Sequence, residues 1–138
     1  MKRLSLVVFF ITFILSAKSQ VTAQKPVWAT ISVPQMKCWV CKERLEDYLT
    51  KETGASGDGG ILQVKINMYN GSVRIQYSPD RFTLDYLRTA IANAGYDADT
   101  VKANEDSYKM LPPICKRKDD GGGPQKGQPP CTIPPDQR

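Results

Sequence analysis

Hydrophobic and polar residues alternate along several short stretches of the chain and recur at helical spacing along two longer ones. Alternation with a period of two is typical of half-buried β-strands. The alternating stretches are 27–33, 61–68, 72–77 and, less regularly, 96–101. Apolar residues three and four positions apart predict helices at 42–51 and 82–94. The predicted order of elements is therefore strand, helix, two strands, helix, strand.

Residues with special backbone preferences mark the ends of these elements. Pro34 follows the first strand, and Asn70-Gly71 is a strong hairpin signal because both residues tolerate positive φ. Thr83 is placed to cap the second helix, and Gly95 is placed to end it. This order predicts an α+β fold, a ferredoxin-like βαββαβ sandwich with two helices on one face of a four-stranded antiparallel sheet.

The first 23 residues have the pattern of a secretory signal peptide. Lys2 and Arg3 precede an apolar run at 4–15, and small residues suitable for cleavage stand at Ala17 and Ala23. We expect cleavage after one of these alanines, and an uncleaved N-terminal anchor is the alternative. The apolar run is shorter than the roughly 20 residues that cross a bilayer comfortably. The pattern predicts a periplasmic or secreted protein.

Charge and composition exclude several classes of function. The chain has 19 basic and 14 acidic residues; three of the basic residues precede residue 23, so the formal charge falls from +5 to +2 without them. That balance argues against nucleic-acid binding. The sequence has no histidine, which is the usual proton shuttle and the commonest metal ligand. With no catalytic triad, phosphate-binding loop or carboxylate pair in evidence, we do not expect an enzyme.

The C-terminal region differs in composition from the rest of the chain. Seven of the ten prolines fall within 112–138, where the only aliphatic residues are Ile114 and Ile133. So few apolar side chains cannot offset the entropy of ordering, and we expect a disordered tail at 110–138 after a folded domain at 27–104. Within the tail, we interpret Lys116-Arg117-Lys118 as a solvated charge run rather than a binding patch.

Two cysteines separated by two residues stand between the first strand and the first helix. In Met36-Lys37-Cys38-Trp39-Val40-Cys41, Cys41 falls in or near the first helical turn, where unpaired N–H groups favour thiolate over thiol. Sulfurs at this spacing can share one soft metal ion or form a disulfide. Cys115 and Cys131 could pair across the tail, supply further thiolates or stay free, and an oxidising compartment favours their pairing.

These residues resemble the heavy-metal-associated domain family, the small ferredoxin-like module of copper chaperones, metal-pumping ATPase N-termini and the periplasmic mercury-binding protein. The resemblance rests on the order of elements, on the segment from Met36 to Cys41, on Asn70-Gly71, and on Ala92-Asn93-Ala94-Gly95-Tyr96-Asp97-Ala98. It covers about 27–101, which is all of the expected folded domain. As an exported single domain, the chain is most similar to the periplasmic members.

The resemblance implies roles for four residues around the loop. It implies that Cys38 and Cys41 are the metal ligands. It implies that Met36 is a core residue that supports the loop rather than a ligand, and that Tyr96 lies beside the loop.

The chain departs from the family pattern close to the cysteines. Gln35 stands where the family usually has glycine, and the bulky Trp39 and Val40 stand where small residues are common. The loop at 52–60 is longer than usual, and the two tail cysteines have no counterpart. These departures bear on the metal and the partner rather than on the fold. We interpret Trp39 as a partner-docking handle or a lid.

The sequence thus predicts a monomeric, exported, non-enzymatic protein that carries or scavenges a soft metal ion. Two thiolates suit Cu(I) or Hg(II) better than Zn(II) or Cd(II), and Lys37 beside Cys38 would offset the charge of a bis-thiolate Cu(I) complex. A metal-transporting membrane protein is the expected partner. The alternative is a thiol–disulfide redox protein, in which Cys38, as the more exposed sulfur, attacks substrate disulfides.

Overall fold

Three antiparallel strands form the sheet of the computed structural model, which describes residues 24–52, 60–127, 131–134 and 136. The strands are β1 (Val27–Ser32), β2 (Ile61–Asn67) and β3 (Ser72–Tyr77), and β3 lies between the other two. Each agrees with its predicted stretch to within one residue. The predicted signal peptide at 1–23 lies outside the described residues, as does 53–59, the centre of the predicted loop.

The inner face of the sheet is apolar, as the alternation predicts. On β3 the side chains of Val73 and Ile75 are completely buried, whereas Arg74 between them is exposed. Ile31 of β1 pairs with Val73, so the buried side chains of the two strands stand side by side. This face forms one wall of the hydrophobic core.

The outer face of the sheet carries an exposed tryptophan between two cations. The Trp28 side chain is 38% exposed, and the centre of its ring lies 5.3 Å from Lys65 Nζ and 5.1 Å from the guanidinium carbon of Arg74. Both charged groups therefore stand over the ring, where the negative face of the π-system attracts them.

Two helices cover the inner face of the sheet. They are α1 (Trp39–Glu52) and α2 (Leu84–Asn93). Their inward side chains are spaced about one turn apart and are completely buried. These side chains are Leu45 and Leu49 of α1, and Leu87 and Ile91 of α2. No helix within the described ranges combines the length and the apolar character that a membrane span requires.

Local signals fix the ends of these helices. Thr83 Oγ1 accepts a hydrogen bond from the Tyr86 N–H at 3.1 Å, which confirms the predicted cap of α2. Gly95 follows α2 with a φ of 98°, a left-handed conformation that suits glycine and ends the helix. Helix α1 begins at Trp39, earlier than predicted, so Cys41 lies within its first turn.

The predicted hairpin between β2 and β3 is confirmed, but its turn uses one left-handed residue rather than two. Gly71 has a φ of 65°, whereas the only described non-glycine residue with positive φ is Asp99, not Asn70. A Cβ atom at Gly71 would come within 2.9 Å of the Val33 carbonyl oxygen. The Val33 N–H donates to the Gly71 carbonyl at 2.7 Å, so this turn lies directly against the end of β1.

The predicted fourth strand at 96–101 is not formed in the described residues. Its only β-type pairing is a bridge between Ala98 and Val101, which turns back at Asp99, where φ is 53°. The Asp99 carboxylate accepts the Ser32 N–H at 2.8 Å, and the Asp99 N–H donates to the Ser32 carbonyl at 2.9 Å. These two bonds join the segment to Ser32 at the end of β1. In the described residues the segment forms no strand pairing with β1 beyond them. The fold described is therefore α+β with three strands in its sheet.

The tail is ordered where the structure describes it, which corrects the expectation of disorder. After α3 (Glu105–Lys109), two single turns of 3₁₀ helix follow, Pro113–Cys115 and Lys118–Asp120. Leu111, Cys115 and Cys131 are buried. Composition underestimates this order because a covalent bond and polar contacts add to the small apolar area that the tail buries.

One ion pair fastens the tail to the turn that follows α2. Arg117 Nε donates to Asp97 Oδ2 at 2.7 Å, and Arg117 Nη2 donates to Asp97 Oδ1 at 2.6 Å. The hydrogen bonds from Arg117 hold the pKa of Asp97 down at about 2. The guanidinium carbon also lies 4.3 Å from the centre of the Tyr108 ring. Arg117 is therefore a structural contact and not part of a solvated charge run.

Candidate metal centre

The loop between β1 and α1 is shaped by backbone hydrogen bonds. The Met36 N–H donates to the Val33 carbonyl at 2.9 Å and closes a turn after β1, and the Lys42 N–H donates to the Cys38 carbonyl at 3.0 Å where α1 begins. The Met36 side chain is completely buried in the core. The chain thus leaves the sheet, packs Met36 inward, and places Cys38 immediately before the helix.

Cys41 forms a disulfide with Cys115 of the tail. The two residues are 74 positions apart in sequence, and their Cα atoms are 5.5 Å apart. Cys41 lies one turn before the buried Leu45, and Cys115 ends a 3₁₀ turn that packs against α1. The expected pairing of Cys115 with Cys131 is therefore wrong, and the considered Cys38–Cys41 disulfide is absent, because the tail folds back onto the start of α1.

Cys38 lies beneath the tail rather than at the surface. Its side chain is completely buried, and its Sγ donates to the Cys131 carbonyl oxygen at 3.2 Å. The same oxygen accepts the Trp39 N–H at 2.6 Å, so it satisfies one of the N–H groups that a helix start leaves unpaired. The expectation that Cys38 is the more exposed sulfur is wrong, because Cys41 and Cys38 are both completely buried.

Two of the predicted supporting residues contact different parts of the molecule. Lys37 Nζ donates to the Tyr69 carbonyl in the β2–β3 turn at 3.0 Å, so the ammonium group is directed at that turn. The Tyr96 hydroxyl donates to the Cys41 carbonyl at 3.3 Å. Burial raises the pKa of Tyr96 well above its usual value, so the phenol remains a neutral donor. Tyr96 therefore steadies the first turn of α1 from the core side.

The site contains one thiol and one disulfide sulfur, and this decides its chemistry. A soft ion bound by two cysteines needs both as thiolates, and Cys41 cannot supply one while it is bonded to Cys115. In the part of the chain that the structure describes, no three His, Cys, Asp or Glu side chains are grouped to hold a metal ion. The residues therefore fit a two-thiolate site only after the disulfide has been reduced.

Sequence reasoning misses the tail residues that surround this site. Cys115 is visible as a cysteine, but its partner is not, because four cysteines allow several pairings and spacing does not select among them. The role of the Cys131 carbonyl cannot be predicted from residue type, because every residue has a backbone carbonyl. The even number of cysteines in a chain with an export pattern is the one signal that a bridge exists.

A family comparison identifies the domain that holds the two loop cysteines. The model of the heavy-metal-associated domain matches residues 30–97, which run from within β1 to the turn after α2 and include Cys38 and Cys41. The match ends before the tail, so it includes neither Cys115 nor Cys131.

Three proteins are each similar to about half of the chain. The copper-exporting P-type ATPase of Staphylococcus haemolyticus is 30% identical over 78 residues, which are 56% of this chain and 9% of the ATPase. The copper chaperone CopZ of Staphylococcus aureus is 28% identical over 67 residues, which are 49% of this chain and 90% of CopZ. The structure of oxidised MerP from Ralstonia metallidurans is 21% identical, covers 54% of this chain and 96% of MerP, and superposes with a TM-score of 0.46. Residues 30–97 therefore form a heavy-metal-associated domain.

Proposed function

We propose that the reduced protein binds one soft metal ion, Cu(I) or Hg(II), through Cys38 and Cys41 and carries or scavenges it. The observation that carries the proposal is the position of both cysteines at the start of α1 in a heavy-metal-associated domain. Two thiolates suit these soft ions, whereas Zn(II) and Cd(II) prefer more ligands. Because the similar proteins include a copper chaperone and a copper-exporting ATPase, Cu(I) is the first ion to test.

The tail competes with the metal ion for both sulfurs in this proposal. A dithiol reductant must first open the Cys41–Cys115 disulfide; two electrons and two protons yield two thiols, and the reductant becomes a disulfide. Cys38 must then leave the Cys131 carbonyl, to which its Sγ donates. Metal binding releases the thiol protons as the thiolates coordinate the ion.

We propose further that the protein is exported, acts as a monomer without catalysis, and delivers metal to a metal-transporting membrane protein. The signal-like pattern at 1–23 supports export. Similarity to a segment of a copper-exporting ATPase supports the partner, although the chain spans only 9% of that protein. Mass spectrometry of the mature N-terminus in the periplasmic or secreted fraction tests export, because an uncleaved chain retained with the cells contradicts it.

Metal titration followed by native mass spectrometry tests the binding site directly. Reduced wild-type protein should bind one Cu(I) or Hg(II), and reduced Cys38→Ser/Cys41→Ser protein should bind none. Under anaerobic conditions without reductant, Cys115→Ser protein should also bind one ion, because Cys41 has lost its disulfide partner. The matched control is Cys131→Ser, which keeps the Cys41–Cys115 disulfide and should not bind. Unchanged stoichiometry in the double variant contradicts the proposal.

A thiol–disulfide redox protein is the second candidate, and the disulfide at Cys41 is the observation in its favour. The burial of Cys38, Cys41 and Cys115 counts against it, because an attacking sulfur must reach its substrate. Rapid reduction of a model disulfide by the metal-free dithiol, abolished by Cys38→Ser, would establish the redox function. Absence of turnover together with tight metal binding would exclude it.

A further inference from the structure

The disulfide to the tail places a third cysteine at the proposed metal site. The sulfur of Cys115 is bonded to that of Cys41, and the side chains of Cys38, Cys41 and Cys115 are all completely buried in one hydrophobic cluster. While the disulfide is intact, two of these sulfurs are bonded to each other, and no group of metal ligands is assembled in the described residues. Reduction releases two thiols at this place, and the pair Cys38 and Cys41 includes only one of them.

The two loop cysteines lie one helical turn apart. The Lys42 N–H donates to the Cys38 carbonyl at 3.0 Å, so Cys38 opens the first turn of α1, and Cys41 lies three positions later in the same turn. Residues at this spacing share one face of a helix, with Cβ atoms about 5–6 Å apart. Three sulfurs around an ion at a metal–sulfur distance of about 2.3 Å lie about 4 Å from one another. Rotation of the Cys38 side chain therefore suffices to bring its sulfur to Cys41, which Cys115 already reaches.

The position of Cys115 does not depend on the disulfide alone. Two residues after it, Arg117 forms the two-pronged ion pair with Asp97. Four residues before it, Leu111 is buried in the hydrophobic core. Because these contacts flank Cys115 on both sides, we expect its thiol to stay beside Cys41 after reduction, at a high effective concentration.

The other tail cysteine meets the loop through a different group. The carbonyl oxygen of Cys131 accepts from Cys38 Sγ, whereas the sulfur of Cys131 lies 3.8 Å from the Lys37 carbonyl oxygen. Cys131 thus contacts the loop mainly as a backbone acceptor, and it provides a matched control for Cys115.

We propose that Cys115 of the reduced protein is a third thiolate ligand of the soft metal ion. The inference rests on the proposed metal-binding function and adds the tail to its site. Each thiol releases its proton to solvent as its thiolate coordinates the ion, and no electrons are exchanged in this step.

A third thiolate changes what the protein does with the ion. An ion held by two thiolates has an open position for the thiolate of an acceptor protein, whereas a third thiolate from the same chain fills that position. Transfer should then be slow until the tail moves away, so the tail favours scavenging over rapid delivery.

X-ray absorption spectroscopy of the reduced full chain loaded with one Cu(I) counts the sulfur ligands directly. Wild-type protein and Cys131→Ser should show three sulfurs, and Cys115→Ser should show two. Two sulfurs in the wild-type protein would overturn the proposal and leave the two-thiolate function intact. Full Cu(I) binding by reduced Cys38→Ser/Cys41→Ser would instead contradict the metal-binding function on which the proposal rests.

Competition with a chromophoric Cu(I) chelator measures the contribution of the third sulfur to affinity. With a thiol-free reductant and without oxygen, Cys115→Ser should bind Cu(I) more weakly than wild type by on the order of 100-fold and should release it faster. Both proteins are reduced, so loss of the disulfide does not affect the comparison. Equal affinity and equal release rates would overturn the proposal.

Arg117 serves as a positioning residue in this proposal, and a double-mutant cycle tests it without removing a sulfur. Arg117→Ala should loosen the reduced tail and weaken Cu(I) binding several-fold, whereas Lys118→Ala should leave it unchanged. In the Cys115→Ser background, Arg117→Ala should have no further effect, because the tail then holds no ligand. An equal loss of affinity in both backgrounds would contradict the proposal, since Arg117 would then act on the two loop cysteines alone.

Discussion

The domain and the tail of this protein are held in place by different kinds of interaction. The domain is held together by a hydrophobic core in which many apolar side chains, such as Leu45, Ile75 and Ile91, are completely buried against one another. In the tail, one disulfide, one two-pronged ion pair and the hydrogen bonds to one carbonyl provide the main links to the rest of the fold. Loss of one contact should therefore destabilise the domain less than the tail, because few other contacts hold the tail in place.

The largest expected effect comes from removing the covalent link. Cys115→Ala should lower the free energy of unfolding by about 2–4 kcal/mol, because the disulfide closes a long loop in the unfolded chain. The paired cysteines are 74 positions apart, which places the expected effect toward the upper end of that range. Urea unfolding without reductant measures it, and reduction should bring wild-type protein close to the level of the variant.

The neighbouring tail cysteine provides the control. Cys131→Ala removes a buried thiol but keeps the backbone carbonyl that accepts from Cys38 and Trp39, so its effect should be clearly smaller. Deletion of 112–138 removes the disulfide, the ion pair and the Cys131 carbonyl together, so we expect it to destabilise the protein, whereas composition alone predicts no effect. A destabilisation by Cys131→Ala equal to that of Cys115→Ala would show that packing, and not the disulfide, holds the tail.

The ion pair between Arg117 and Asp97 should have the next largest effect. Arg117→Ala leaves a mostly buried carboxylate with the Ala103 N–H as its remaining hydrogen-bond donor and should cost about 1–3 kcal/mol of stability. Arg117→Lys keeps the positive charge but cannot make both guanidinium hydrogen bonds to Asp97, so its loss of stability should be intermediate. Lys118→Ala next to it should stay within about 0.5 kcal/mol of wild type. Thermal unfolding of the three variants measures this order, and equal effects of Arg117→Ala and Lys118→Ala would contradict it.

Acid should weaken the same contact through Asp97. The hydrogen bonds from Arg117 hold its pKa at about 2 in the folded protein, against 3.8 for an ordinary aspartate. Between these values the unfolded chain binds a proton that the folded chain does not, so the free energy of unfolding falls as pH falls from about 4 to about 2. Above about pH 4 the contribution is fully present. Asp97→Asn should show a shallower decline in urea midpoints over this window, and an unchanged slope would remove Asp97 as the cause.

The smallest expected effects come from two helix caps, one within the domain and one at the helix that leads into the tail. Thr83→Ala removes the cap of α2 and should lower global stability by about 1 kcal/mol. Asn104 accepts the N–H groups of Asp106 and Ser107 at the start of α3, which leads into the tail. Asn104→Ala should speed amide hydrogen exchange in α3 and the tail and leave the exchange of β3 unchanged. Faster exchange throughout the chain would mean that the two regions unfold as one unit.

The elements of the domain are predictable because periodicity and local signals agree there. Alternation locates all three strands, and Thr83 and Gly95 locate the ends of α2. The fourth strand is predicted wrongly, because Asp99 adopts a positive φ and its side chain accepts the Ser32 N–H. Hydrophobic periodicity does not reveal either feature. The early start of α1 likewise depends on a distant acceptor, the Cys131 carbonyl.

The site is predictable only in part for a related reason. Cys38 and Cys41 stand out through their spacing and their position at a helix start, which are local properties. Their partners, Cys115 and the Cys131 carbonyl, come from the far end of the chain, and proline-rich composition hides that this segment folds back. Whether a thiol is exposed or bonded is a property of the tertiary fold, so sequence alone assigns the residues but not their state.

The tail contact at Trp39 gives the molecule an optical reporter of its own. The chain has two tryptophans. Trp39 is hydrogen-bonded through its backbone to the tail, and Trp28 lies on the outer face of the sheet between Lys65 and Arg74. The Trp39 ring lies 4.2 Å from Lys42 Nζ, on the helix turn that the tail meets, so we expect release of the tail to change the emission of Trp39 and to leave that of Trp28 unchanged. A chain carrying Trp28→Phe therefore reports the departure and return of the tail by intrinsic fluorescence, in real time and without a label.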